Sequence, residues 1–327
     1  MQNRKPATLA GLCYFCREDG RAIAQAITMY SGPVIDTHMH LWDLANGYAW
    51  LSQNDPNFER LFGNYDRLKR NFLAPDYITM TSGCHVAKAV HVQAFGFPND
   101  PVGETAWLQE QAGQYGYPQG IVAFADLTRP DVEETLRQHC TRANVRGIRM
   151  PLNYADEAWR RMTDRGDYML DPHWRKGFAL LSRYGLSFDL QMYDGQTADA
   201  VALAQCFPET SIVIEHLAWP LDVSRAGFER WTQHLQSLSQ CPNVFLKVSG
   251  IGCVFRRSDP AWIRHWLQQA VSCFGPERCL FGSNCPPDTI FYDFKPLLGI
   301  YLEAFAVYDP GEQEAIFYRT AKRVYRL

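Results

Sequence analysis

The sequence predicts an α/β fold, a (β/α)8 TIM barrel built as a single domain with an N-terminal extension and a long loop after strand one. Eight short apolar segments, rich in β-branched residues, alternate with longer helical patterns along the 327 residues. A doubly wound open sheet would also alternate, but no Gly-rich GxGxxG turn follows any of the segments. Alternation at this spacing in a chain of this length favours the barrel.

The strands are predicted first, in chain order. They cover residues 34–40, 88–95, 120–127, 145–152, 186–193, 211–219, 244–251 and 279–286. Helix boundaries support the alternation, because Asp171 and Asp259 each precede a proline, as an N-cap residue does before proline at the first helical position. Gly185 and Gly275 are typical of helix C-termini.

Two segments interrupt the alternation and one precedes it. Residues 41–75, after strand one, are rich in Trp, Tyr, Phe and Asn, and residues 153–170 follow strand four. Loops this long in a compact domain usually carry function. Residues 1–28 are predicted to be an extension outside the barrel, which then spans residues 29–327.

Composition excludes several classes of partner. The net charge is −3, with 32 basic and 35 acidic residues and no basic cluster, so neither nucleic acid nor an anionic membrane is an expected partner. No apolar stretch approaches a membrane span. Ten scattered cysteines favour reduced thiols and a cytoplasmic location. The expected partner is a small-molecule substrate, and a homo-oligomer is left open.

Polar residues mark the ends of the predicted strands. In "VIDTHMH", Asp36, His38 and His40 are two residues apart and are predicted to share one face of strand one. Further polar residues at strand ends are His91, Gln93, Arg149, Gln191, Glu215, His216, Lys247, Ser249, Asn284 and Asp288. Buried parallel strands are otherwise almost wholly apolar, and barrel enzymes place their chemistry at the C-terminal strand ends, so these residues are candidates for function.

The segments "IDTHMHLWD", "GIRMPL", "IEHLAWP", "LKVSG" and "LFGSNCPPD" resemble the amidohydrolase superfamily. The similarity is strongest to its amidohydrolase-related branch, which contains sugar-acid lactonases and pyrone-dicarboxylate hydrolase, and it spans about residues 33–327. The resemblance implies a (β/α)8 hydrolase that often uses one divalent metal and sometimes none.

The resemblance also assigns metal ligands. His38 and His40 match the strand-one ligands, and His216 matches the strand-six histidine, which either ligates metal or polarises a carbonyl. Neutral imidazoles suit a divalent ion such as Zn²⁺ or Mn²⁺. The alternative is that the strand-one histidines only hydrogen-bond the substrate or each other.

Two positions depart from the family pattern. Gln191 stands in the region of a strand-five histidine, and Asn284 replaces a strand-eight aspartate that serves as ligand and general base. An amide accepts no proton as a carboxylate does, so weak metal binding is expected. Asp288 either supplies the missing base or caps a helix.

Further residues are candidates for substrate binding and catalysis. Arg149 is predicted to bind a substrate carboxylate through its planar fork of donors. Lys247 either reaches the pocket as a catalytic residue or pairs with an acidic neighbour. His91 is a candidate for substrate contact, with a core role as the alternative. Trp42 and Tyr48, with Trp50, form either a lid or the packing of the barrel rim.

The expected function is hydrolysis of a carboxylate-bearing lactone or related cyclic ester, with or without a divalent metal. His216 with Lys247, or the metal, polarises the carbonyl, and an acidic residue takes the proton from water. Asp36 is expected to orient His38 or His40. The alternatives are a metal-dependent decarboxylase of similar fold and a non-catalytic binder of small molecules.

Overall fold

The computed structural model describes residues 28–97, 99–256 and 259–327, together with the backbone of two short segments of the N-terminal extension. In that extension Leu12–Cys16 pairs antiparallel with Ala22–Ala26. The cysteines whose side chains are described, such as Cys241 and Cys279, form no disulfide. Among the described residues, no helix combines the length and apolarity that crossing a membrane requires.

Eight parallel strands form the barrel. They are β1 Val34–Met39, β2 Val86–Val92, β3 Gly120–Phe124, β4 Val145–Arg149, β5 Ser187–Leu190, β6 Ile212–Ile214, β7 Val244–Val248 and β8 Cys279–Phe281. Each strand pairs with the next in chain order. Beyond β8 the chain returns to β1, where Asn284 N donates to His38 O at 2.7 Å and His40 N donates to Cys285 O at 2.8 Å. The predicted TIM barrel is confirmed.

Helices separate the strands as predicted. They are α1 Ala49–Ser52, α2 Pro56–Phe62, α3 Ala74–Met80, α4 Pro101–Tyr115, α5 Val132–His139, α6 Pro172–Arg183, α7 Thr197–Cys206, α8 Arg225–Ser239, α9 Ile251–Phe255, α10 Pro260–Phe274, α11 Phe294–Phe305, α12 Pro310–Glu314 and α13 Thr320–Val324. Asp171 and Asp259 cap α6 and α10 by accepting two backbone N–H groups each. Gly275 ends α10 with φ of 77°.

The strands are shorter than predicted at their C-terminal ends. The predicted sixth strand, for example, ran to residue 219, whereas β6 ends at Ile214 and residues 216–219 turn through left-handed backbone. The long loop after strand one is confirmed, since β1 ends at Met39 and α3 begins at Ala74. Several of the predicted polar residues, such as His216 and Asn284, therefore lie just past the ends of the strands, where the chemistry of a barrel is expected.

Two buried apolar clusters hold the barrel together. The smaller unites Ile35, Val122, Val213 and other strand residues with Tyr325, which follows α13. The larger contains the side chains between the strands and the surrounding helices. Burial of this apolar area is the main term that stabilises the fold.

Candidate active site

His38, in β1, and His40, just after it, lie inside the C-terminal end of the barrel. The ring centroids of His38 and His40 are 4.9 Å apart, and the ring of His38 lies 4.4 Å from that of His216. Burial lowers the pKa of all three imidazoles well below the usual value. Three neutral imidazoles therefore meet at one point, as the spacing in β1 and β6 predicted.

Asp36 does not share this arrangement. The pairing of β1 with β2 shifts register between Asp36 and Met39, so the strict alternation of faces is broken there. The carboxylate of Asp36 accepts hydrogen bonds from Ser283 N at 2.8 Å, Ser283 Oγ at 2.6 Å and Tyr77 OH at 2.9 Å. The predicted contact with an imidazole is wrong, because Asp36 instead ties β1 to the segment that follows β8.

His40 and Asn284 face each other with two acceptor atoms. His40 Nδ1 lies 2.7 Å from Val92 O, which assigns the ring proton to Nδ1 and leaves a lone pair on Nε2. Asn284 Nδ2 donates to Asp288 Oδ1 at 2.9 Å, so its Oδ1 points to His40 Nε2, 3.4 Å away. Two lone pairs at this distance repel each other unless a proton or a cation lies between them.

Asp288 caps a helix. It is fully buried and accepts hydrogen bonds from Gly252 N at 2.8 Å and Cys253 N at 3.2 Å, at the N-terminus of α9. Burial raises its pKa to about 6. The capping alternative is therefore right, though for α9 rather than a later helix. Asp288 does not border the cavity described below, which argues against its predicted role as the replacement base.

Glu215 connects the histidines to a buried network of ion pairs. Its Oε1 lies 3.4 Å from His38 Nδ1 and 3.9 Å from Lys247 Nζ, and its Oε2 lies 3.0 Å from Arg149 Nη1. All four side chains are buried. The carboxylate that Asn284 could not supply is therefore present, one residue before His216 in the chain.

Arg149 is occupied by acceptors of the protein itself. Its Nη1 donates to Gln191 Oε1 at 2.9 Å and to Glu215 Oε2, and its Nη2 donates to Gln93 O. Nη1 therefore uses both of its N–H groups, whereas Nη2 keeps one and Nε makes no hydrogen bond. The side chain borders the cavity, so binding of a substrate carboxylate by Arg149 stays a prediction. The same contact fixes the amide of Gln191, whose donor Nε2 is left for the cavity.

Lys247 lies below the site and does not border the cavity. Its Nζ is 2.5 Å from Asp189 Oδ2, which also accepts from Tyr325 OH at 2.7 Å. Burial raises the pKa of Asp189, and the lysine opposes that shift. Of its two alternatives, pairing with an acidic neighbour is right, and the position of Lys247 outside the cavity lining argues against the predicted catalytic role.

His216 is held by an unusual turn. Residues 216–219 all have positive φ, a backbone region that costs energy for non-glycine residues and is concentrated at functional sites. His216 Nδ1 lies 2.9 Å from Ser249 Oγ, which leaves Nε2 for the cavity. Gly250 allows this placement, since a Cβ there would meet His216 Nδ1 at 2.5 Å.

The donor set fits a divalent ion. Ligand atoms of His38, Glu215 and His216 all lie within 4.8 Å of one another, and the three residues are buried. Neither ring nitrogen of His38 makes a hydrogen bond, and Glu215 Oε1 makes none either. Two neutral imidazoles and a carboxylate are ligands that Zn²⁺ accepts. Within the described residues, this set contains Glu215, which the sequence had not assigned as a ligand, while His40 as a ligand and weak metal binding stay predictions.

This donor set lies at and below the floor of a cavity at the C-terminal end of the barrel. The polar residues of the floor are His40, Arg149, Gln191, His216 and Asn284. The apolar residues of the roof and walls, called the roof below, are Trp50, Phe58, Leu61, Phe62, Ala94, Phe95, Met162, Trp219 and Pro287. A cavity with polar groups converging at one end is typical of a site for a small molecule.

Three predicted substrate contacts do not reach this cavity. Trp42 is buried and donates its indole N–H to Arg70 O at 2.7 Å, and buried Tyr48 lies 3.5 Å from Glu104 Oε1. His91 Nε2 bonds Leu41 O at 3.2 Å, and burial lowers the pKa of His91 to about 3. The structure agrees with the rim-packing and core alternatives for all three. His91 was a candidate for its strand position, and Trp42 and Tyr48 were candidates for the aromatic composition of their segment, but neither property sets the direction of a side chain.

Roof residues were not singled out from the sequence, apart from Trp50. Phe58 and Phe62 lie in the aromatic segment after β1, and Met162 lies in the irregular segment after β4. The unusual length and composition of those two segments marked the right regions. They could not identify single residues, because no motif accompanies them.

Comparisons with known proteins place this geometry in a family. The family model described as Amidohydrolase matches residues 35–327. The chain belongs to the amidohydrolase family. This amidohydrolase is 35% identical to protein y4mH of Sinorhizobium fredii over 295 residues, which cover 90% of the chain and 98% of the relative.

Two further relatives come from Burkholderia multivorans. The amidohydrolase is 25% identical to an L-fucono-1,5-lactonase over 306 residues, covering 90% of the chain and 96% of the relative. It also shares its fold with an amidohydrolase crystallised with bound zinc, at 24% identity and a TM-score of 0.74, covering 90% of the chain and all of that structure. Family membership makes the chain an enzyme of the hydrolase class and confirms the family that the sequence motifs resembled.

Proposed function

We propose that this amidohydrolase opens the ring of a lactone by hydrolysis. The observation that carries the proposal is that His38, Glu215 and His216 meet at and just below the floor of a cavity, with His40 and Gln191 in the floor beside them. The similarity to a protein named L-fucono-1,5-lactonase supports a cyclic ester as the substrate. The expected carboxylate on the substrate is left out of this proposal, because Arg149 already donates three hydrogen bonds to acceptors of the protein.

His38, Glu215 and His216 would hold a divalent ion, which would polarise the lactone carbonyl as a Lewis acid. The zinc bound to the structural relative supports this assignment. Gln191 presents its amide N–H groups to the cavity, because Arg149 holds its carbonyl oxygen. We assign Gln191 to donate a hydrogen bond to the substrate carbonyl oxygen and to stabilise the negative charge that develops there.

His40 is assigned as the proton acceptor. Val92 O holds the proton on Nδ1, so Nε2 is free to take a proton from the attacking water. The new N–H would then point to Asn284 Oδ1, which lies 3.4 Å away and accepts. When the bond between the carbonyl carbon and the ring oxygen breaks, the same proton passes to the leaving alkoxide. Asn284 thus supports the base without being one.

A turnover assay tests the proposal. Purified enzyme, with and without added Zn²⁺ or Mn²⁺, is offered a panel of 1,4- and 1,5-lactones, and the acid released by ring opening is titrated. We expect ring opening, with His40→Gln slower by about 10²- to 10⁴-fold. His173→Gln, an exposed histidine of α6, is the matched control and should be unchanged.

The same experiment decides between the rival functions. Release of CO2 from hydroxylated aromatic acids, without ring opening of any lactone, would establish a decarboxylase instead. Saturable binding of lactones in calorimetry without turnover would establish a non-catalytic binder. Either result would contradict the proposal.

A further inference from the structure

The division of the cavity into a polar floor and an apolar roof restricts the substrate more narrowly than the family does. Resting on the proposed lactone hydrolysis, we infer that the substrate is an uncharged lactone whose ring carries an apolar substituent. The lactone group would face the floor, and the substituent would lie against the roof. Three features of the site support this inference.

The first feature is the surface of the roof. Trp50 stacks on Phe58 with ring centroids 5.1 Å apart, and Phe58 stacks on Phe62 at 5.6 Å. The indole N–H of Trp50 is already bonded to Ala94 O at 2.9 Å. Of the described residues in the roof, only the two tryptophans carry a polar side-chain atom, so the roof offers a substrate mainly carbon surface.

The second feature is that none of the roof residues named above carries a positive charge. Arg149, in the floor, is the single lysine or arginine among the described residues that border the cavity. A carboxylate on the substituent would therefore lie against apolar side chains without a cationic partner, which is unfavourable.

The third feature is the lack of hydrogen-bond partners in the roof for hydroxyl groups of a substrate. Each hydroxyl that points to the roof loses water and gains no hydrogen bond, so a fully hydroxylated sugar lactone is a poor match for this cavity. Carbon atoms at the same positions gain from leaving water.

The test compares 1,5-lactones that differ only in the substituent. The panel contains δ-valerolactone, its C5-alkyl derivatives from ethyl to hexyl, a hydroxylated aldono-1,5-lactone and a derivative with a carboxylate at the end of the alkyl chain. We expect kcat/KM to rise about threefold for each added methylene until the cavity is full. The best alkyl lactone should exceed the hydroxylated and carboxylated ones by at least tenfold.

A roof variant and a binding measurement separate this inference from the proposed chemistry. Phe58→Ser should reduce the preference for hexyl over ethyl more than it reduces turnover of δ-valerolactone. Alkyl lactams, which resist hydrolysis, should bind more tightly as the chain lengthens, and calorimetry measures this without any turnover. Lactam affinity that rises with chain length supports the inference even if no lactone is opened.

Three outcomes would overturn it. If δ-valerolactone is opened but the alkyl series shows no gain, the apolar substituent is wrong while lactone hydrolysis stands. If the carboxylated or the hydroxylated lactone is the best substrate, the uncharged, apolar character is wrong. If lactam affinity is independent of chain length, the roof does not contact the substrate.

Discussion

The floor and the roof of the cavity are built in opposite ways. In the floor, the orientation of several polar groups depends on a partner from another part of the barrel: Val92 O orients His40, and Arg149 orients Gln191. In the roof, aromatic rings from the segment after β1 stack on one another. A change in the floor should therefore spread through its partners, and a change in the roof should stay local.

Removing the charge of Glu215 should have the largest effect. Glu215→Gln leaves Arg149 buried without its counter-charge, so we expect the free energy of unfolding to fall by about 3–5 kcal/mol. Urea denaturation measures this as a lower midpoint with an unchanged slope. Glu229→Gln is the matched control, since its pair with Arg225 is exposed, and should change stability by less than about 1 kcal/mol. Equal losses of stability in the two variants would show that the buried ion pair of the floor matters no more than an exposed pair.

The pH dependence of stability tests His91, a buried histidine that does not border the cavity. Burial lowers the pKa of His91 to about 3 from an unfolded value of about 6.5, so the unfolded chain binds the extra proton between these values. The stabilising contribution of neutral His91 is complete above pH 6.5 and is lost as the pH falls towards 3. Relative to His91→Gln, wild-type stability should drop by about 1.4 kcal/mol per pH unit below pH 6. Unfolding curves measured from pH 6 to pH 4 check this, and parallel curves would contradict it.

Asp288→Asn distinguishes a helix cap from a base. Loss of the carboxylate weakens the cap on α9, and we expect a loss of about 1–2 kcal/mol in stability. Turnover should fall less than tenfold, because no proton passes through this side chain. A loss of 10²-fold or more, with little change in thermal midpoint, would restore Asp288 as the base.

Trp50→Phe should have the smallest effect, because a change in the roof should not spread to other parts of the site. The variant keeps an aromatic ring but loses the hydrogen bond to Ala94 O, so stability should fall by about 0.5–1.5 kcal/mol. We expect KM to rise a few-fold with kcat unchanged. Trp107→Phe, on α4 away from the cavity, is the control. A large fall in kcat would show that the roof also helps to position the polar side chains of the floor.

The barrel could be predicted because its signal is repeated. Each strand contributes its own apolar segment, and boundaries such as Asp171 before Pro172 follow from local hydrogen bonding, so eight weak signals support one topology. The strand ends were overextended for the reason that makes them functional. Beyond Ile214 the chain still contains apolar residues, but positive φ at residues 216–219 removes it from the sheet.

The site was predictable in position but only partly in role. His38, His40, His216, Gln191 and Asn284 do border or lie beneath one cavity, because residues at the C-terminal ends of parallel strands converge. Roles depend on long-range partners that spacing does not reveal. Glu215 was a strand-end candidate beside His216 but was not assigned as a metal ligand. Lys247 was assigned to catalysis because Asp189, its partner, lies on a different strand.

The contact between Asp36 and Ser283 has a consequence for protein synthesis. The two residues are 247 positions apart, and Asp36 is fully buried once they meet. At about 5–20 residues per second, the ribosome needs roughly 12–50 s to make the second after the first. For that interval β1 has no β8 to pair with, and its apolar residues must be shielded in the nascent chain. Chaperone occupancy is therefore expected to peak before residue 283 emerges and to end when the barrel closes.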